Sequence, residues 1–152
     1  MIYAKIPFLP PSVNHVFFQR GRMRILTKEG KKYHVEVQTH LARECQPFLS
    51  FFQKNIPYAI IINLNVHAER LLFKGWPEKS DTRYKAFDAS NYIKVLEDAV
   101  VKACGHDDRQ HITVAIRKST IANTEEEYVE LWAFNLTEEL SPIDEFVLHH
   151  GT

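Results

Sequence analysis

Six polar residues within "FDASNYIKVLEDAVVKACGHDDRQ", residues 87–110, are of types that suit phosphodiester chemistry. Asp88 precedes a helical pattern, Asn91, Lys94 and Asp98 recur inside it at i, i+3 and i+7, and Asp107 and Asp108 follow it. At 100° per residue these three fall on one side of a helix, away from an apolar stripe of Tyr92, Leu96, Ala99 and Ala103. Mg²⁺ takes carboxylate and water oxygens together with substrate phosphate. Phosphodiester hydrolysis also asks for positive charge where negative charge develops. Asp88 and Asp108 are candidates for the oxygens and Lys94 for the charge.

The same residues also have plain structural readings. Asp88 complements the positive end of a helix dipole, Ser90 is placed to act as an N-cap, Lys94 and Asp98 form an i,i+4 pair, and "GHDDR" makes a turn. Reach separates the readings. A helix over 91–101 is ~16 Å long, which puts the Asp-Asp pair beyond its far end. An extended 102–108 covers at most ~23 Å, just enough to return to Asp88. Otherwise a second copy of the chain completes the site.

The elements that must hold these residues belong to one domain of 152 residues. The fold class expected is α+β, in the order β-α-β-α-β-β, with two helices and a mixed or antiparallel sheet. Residues 1–8 alternate as a strand that "LPPSVN" closes, and "RGRMRILT" reads as a short hairpin arm. From Thr27, a plausible cap, the spacing of Tyr33, Val37, Leu41, Cys45, Phe48 and Phe52 predicts a helix that Pro47 kinks or shortens. "YAIIINLNVHAE" is β-branched and reads as a strand, and an edge strand is expected near 83–87. The second helix spans 91 to about 102. "HITVAIRKST" and "EEYVELWAFNL" are expected to pair as an antiparallel hairpin. Residues 1–136 form the domain, and 137–152, without Lys or Arg, an appended acidic tail.

A net charge of zero conceals an imbalance. Residues 1–54 carry nine Lys/Arg against three acids, and 55–152 carry ten against sixteen. Arg20, Arg22, Arg24, Lys28, Lys31 and Lys32 cluster around a single acid, Glu29. Such a cluster is either a solvated face or the contact surface for an anionic partner. No apolar run approaches the ~20 residues of a membrane span, and the N-terminus does not read as a signal peptide. Cys45 and Cys104 have no metal-ligand spacing and are too few for a disulfide framework. A cytoplasmic protein without membrane attachment is expected. The histidines lack zinc-site spacing, and His106 reads as an exposed turn residue. Trp132 reads as packing, and Trp76 as packing or a base-stacking residue.

"PPSVN" after a strand, "ILTKEGKKYH" opening a helix, then "DASNYIKVLEDAV" and "DDRQHI", stand in register between residues 3 and 118. Together they resemble the RusA family, Holliday-junction resolvases of bacteria and their prophages. The resemblance implies a homodimeric endodeoxyribonuclease, dependent on Mg²⁺ or Mn²⁺, that nicks a four-way DNA junction symmetrically. Carried over residue by residue, it makes Asp88, Lys94 and Asp108 catalytic and assigns the metal to Asp88 and Asp108, with Asp107 and Ser90 as outer ligands. Asp98 is the helix aspartate, and Asn91 joins the DNA contacts. Arg20, Arg22, Arg24, Lys28, Lys31 and Lys32 then read as backbone-phosphate contacts.

The family pattern, Asp-x-Asp-Asn-x-x-Lys followed by Asp-Asp, is broken at Ser90, which stands where better-studied members carry a carboxylate. Phe87 replaces an arginine that some members carry. The alternative is therefore a non-catalytic junction- or DNA-binding protein with a degenerate metal site. A third reading is a phosphodiesterase acting on flaps or RNA.

Overall fold

Near-continuous burial along Tyr58–His67 (β4) organises the sheet, since only Ile61 and His67 are more than slightly exposed there. A strand buried on both faces belongs at the centre of a sheet, with a ladder partner on each side. The computed structural model describes residues 1–11, 13–71 and 90–138, with the backbone alone at 13, 14, 71, 90 and 91. In it β4 pairs in parallel with His111–Ile121 (β5) and antiparallel with Tyr128–Asn135 (β6). Ile2–Ile6 (β1) pairs antiparallel with the other side of β6, giving the order β1-β6-β4-β5. Phe17–Arg20 (β2) and Met23–Leu26 (β3) form a separate hairpin, turned at Gly21, whose φ of +62° suits glycine.

The fold is α+β with a mixed sheet and two long helices, as expected. The expected hairpin between the last two strands is corrected: β6 lies beyond β4 from β5, and both pair with β4 instead. The reason is that β4 needs partners on both sides, whereas β5 leaves Ile112 and Val114 exposed, as an edge strand does. Glu127, just before β6, accepts from the His67 amide at 3.0 Å and binds Arg70 at 2.7 Å, which fastens the connection at the end of β4.

The first long helix, Lys28–Glu44, ends earlier than its apolar pattern. It follows two four-residue strands and a one-turn helix, Val13–Val16 (α1), so it is α2. Thr27 caps it by accepting from Gly30 N at 3.1 Å and donating to His15 O at 2.8 Å. The chain breaks at Cys45 and restarts as Gln46–Phe51 (α3), with Pro47 in its first turn, where a missing N–H is tolerated. After β4 comes the single turn Ala68–Leu71 (α4), and then the second long helix, Ser90–Cys104 (α5). Its buried stripe is Val95, Leu96, Ala99 and Val100, while Tyr92 and Ala103 are half-buried at its edge. Helices α2, α3 and α5 cover one face of the sheet, closing a core with Ile6, Ile60, Ile62, Leu64, Val129 and Leu131. The edge strand expected near 83–87, Trp76, and the C-terminal segment from 139 onward lie outside the described residues.

Candidate active site

Helix α5 presents Lys94 and Asp98 one turn apart, and Lys94 Nζ lies 2.9 Å from Asp98 Oδ1. At Gly105 the chain leaves the helix with φ +74°, its N–H and that of His106 both bonding back to Val101 O. A 3-10 turn, Asp108–Gln110, then folds against α5. Asp108 thereby returns to the helix face, and its Oδ2 stands 3.1 Å from Lys94 Nζ. Within one chain the loop thus reaches Lys94, in the second turn of α5. The Asp98 carboxylate raises the pKa of Lys94 most; burial opposes it, and Asp108 adds to the rise, so the ammonium is held charged.

Asp107 faces a different task. Its carboxylate accepts from the Arg109 guanidinium at 2.7 Å and from Arg109 N at 2.9 Å, which holds its pKa well below the usual carboxylate range. It also forms a capping box with Gln110, whose amide reaches Gln53 O at 2.7 Å and Ile56 O at 2.9 Å. Asp107 therefore shapes the turn that carries Asp108. Asp88 lies outside the described residues, and Ser90 and Asn91 form the start of α5, with only their backbone described.

His106 corrects the reading of an exposed turn histidine. Its ring stacks on Phe52 with centroids 4.0 Å apart and planes 4° from parallel, and its Nε2 is 2.7 Å from His111 Nε2. His111 Nδ1 lies 3.0 Å from Glu97 Oε2. Burial, then the neighbouring His111, push the pKa of His106 down to about 4. Sequence spacing carries no signal for this trio, because its support, Phe52, comes from a distant helix end.

The six basic residues of the N-terminal third are all exposed, three on the β2–β3 hairpin and three at the start of α2. Lys28 and Lys31 sit at the positive end of the helix dipole, where cations cost ~0.3–1 kcal/mol each. Helix stability therefore does not account for them. His34, three residues after Lys31, feels Lys102 and Asp98 of α5, so the basic turn lies alongside the helix that bears the site. A separate cavity of about 720 Å³, lined by Tyr3, Lys5, His40, Glu44, Cys45 and Phe48 among others, shares no residue with the Lys94 cluster. Burial raises the pKa of the Cys45 thiol there, which argues against a nucleophile.

A divalent cation fits the chemistry of this donor set. The carboxylates of Asp98 and Asp108 converge on one point of positive charge, and hard oxygen donors suit Mg²⁺ or Mn²⁺ rather than zinc. Among the described residues, no three His, Cys, Asp or Glu side chains are grouped to hold a metal by themselves.

A family model described as Endodeoxyribonuclease RusA matches residues 7–131, most of the chain, and the protein belongs to that family. Lys94, Asp98, Asp107 and Asp108 all fall within the match. A search of the curated proteins found no match. Among the described residues, no helix is long and apolar enough to cross a membrane.

Proposed function

We propose that this chain is a structure-selective endodeoxyribonuclease that resolves four-way DNA junctions by symmetric, metal-dependent phosphodiester hydrolysis. The observation that carries the reading is the placement of Lys94 between Asp98 and Asp108, 2.9 and 3.1 Å away, on the helix that follows Asp88. Asp88 and Asp108 would hold Mg²⁺ or Mn²⁺, with Ser90 and Asp107 as outer ligands. Bound there, the metal supplies Lewis-acid polarisation of the scissile phosphate. Lys94 stabilises negative charge as the phosphodiester opens, a role its raised pKa supports by keeping it protonated. Asp98 orients the Lys94 ammonium. Asn91 and the basic residues Arg20, Arg22, Arg24, Lys28, Lys31 and Lys32 position the DNA through its backbone. A homodimer acting in the cytoplasm would place two such sites on opposing strands of one junction.

The test is a labelled four-way junction incubated with Mg²⁺, Mn²⁺ or EDTA, beside Asp88→Asn and Asp108→Asn. Paired nicks that need metal and both aspartates are expected. Tight, salt-sensitive binding with no nicks under any metal would instead make this an architectural junction-binding protein, with Ser90 marking the lost carboxylate. Cleavage of flaps or RNA in preference to the junction would move the substrate assignment.

A further inference from the structure

Between His106 and His111 the chain makes one loop, and that loop carries Asp107 and Asp108. Side chains fasten its two ends together, since His106 Nε2 and His111 Nε2 lie 2.7 Å apart. His111, its side chain only 1% exposed, is bonded in turn through Nδ1 to Glu97 Oε2 at 3.0 Å. His106 lies flat on Phe52, and its Nδ1 is buried without a hydrogen-bond partner.

One placement of the protons satisfies all of these contacts. A carboxylate only accepts, so His111 Nδ1–H donates to Glu97. The Nε2 of a neutral His111 is then a bare acceptor, and His106 Nε2–H donates to it. The unpartnered Nδ1 of His106 is left as a lone pair, so no N–H of the trio is stranded in the interior. Glu97 thus sets the tautomer of both rings and, through them, the closure of the loop. The opposite side of the loop is held independently, by the Asp107–Gln110 box and the two bonds from the Gln110 amide.

The geometry points to Glu97, His111 and His106 as positioning residues that lock the Asp107–Asp108 loop, so that Asp108 is already aligned with Lys94 before a metal arrives. This rests on reading Asp108 as a metal ligand. Removing hydrogen-bonded supports behind metal-binding groups commonly weakens metal affinity by about 10–100-fold.

The experiment measures Mn²⁺ binding to the whole chain calorimetrically, without DNA, and compares three variants with the wild type. Glu97→Gln keeps an acceptor for His111, whereas Glu97→Leu removes it. His106→Phe keeps the stack on Phe52 and removes the bond to His111, and it serves as the second probe if Glu97→Leu unfolds. Affinity within about twofold of wild type is expected for Glu97→Gln, and a loss of about tenfold or more for the other two. Wild-type affinity in Glu97→Leu and His106→Phe would overturn the inference. So would an equal loss in Glu97→Gln, which would make the charge of Glu97, and not its hydrogen bond, the operative feature. Asp108→Asn separates the two readings. If it abolishes Mn²⁺ binding while the histidine and Glu97 variants bind normally, only the positioning role fails. If it binds Mn²⁺ like the wild type, the site assignment falls and the positioning role with it.

Discussion

Lys94 Nζ and Asp108 Oδ2 meet at 3.1 Å across fourteen residues of chain. A helix i,i+4 pair alone would leave Lys94 with Asp98, and the second carboxylate is what the proposed site adds to that pair. Lys94→Met keeps the stem and removes the charge. Single-turnover cleavage of a four-way junction should fall by about 10²–10³-fold, the usual effect of deleting one preorganised charge-stabilising group. Junction affinity in EDTA should change only a few-fold, and an unchanged cleavage rate would remove Lys94 from the chemistry.

The exposed basic residues of the β2–β3 hairpin and α2 should act on affinity through salt. Each neutralised phosphate contributes a slope of about −0.9 to log K against log salt. Replacing Arg22, Arg24, Lys28 and Lys31 together by Ala should flatten that slope by about one unit for every phosphate no longer neutralised, and weaken binding of all junction sequences alike. An unchanged slope would place the DNA on another surface.

Gly30 sits where α2 crosses α1 and β3. A Cβ there would lie 2.8 Å from Val16 Cγ1 and from Leu26 Cδ1, and 2.9 Å from the Val16 carbonyl oxygen. In an open helix Gly→Ala stabilises by ~1 kcal/mol. Here the backbone oxygen cannot step aside, and overpacking costs ~1–3 kcal/mol. Gly30→Ala should therefore lower the urea midpoint, and a rise would mean that the crossing relaxes freely.

His34 is buried on α2 with both ring nitrogens unpartnered, facing Lys102 and Asp98 of α5. Burial, then Lys102, lower its pKa, against a smaller raising effect from Asp98. The fold therefore favours the neutral ring, while the unfolded chain titrates near ~6.5. Its contribution to stability is complete above that value and is lost as pH falls below it. Thermal midpoints measured from pH 7 to pH 5 should drop less in His34→Leu than in the wild type. Parallel curves would show that His34 does not titrate on unfolding.

Local signals were readable wherever a single residue type decides the conformation. Thr27 as a cap, the break at Pro47 and the extent of α5 follow from properties of those residues or from periodicity. The one-turn α1 was missed because four residues are too few to show a period. The place of β6 was missed because alternation reveals which face of a strand is buried and not which strands flank it. At the site, the line from Lys94 to Asp98 was legible from helical spacing. The return of Asp108 depends on the reversal at Gly105, and the burial of His106 depends on Phe52, both matters of tertiary packing.

The insertion of β6 between β1 and β4 also governs how the molecule can assemble. Among the described residues β1 finds its ladder only in β6, with Ile2 opposite Ala133 and Tyr3 bonded to Glu130 over a separation of 127 residues. Closing so long a loop is entropically costly before any pairing repays it, and folds rich in such pairings fold slowly. During synthesis β1 stays without its ladder until residues 128–135 have emerged. An interrupted chain would then carry two unpaired strand edges, those of β1 and β4, which are surfaces prone to association with other chains.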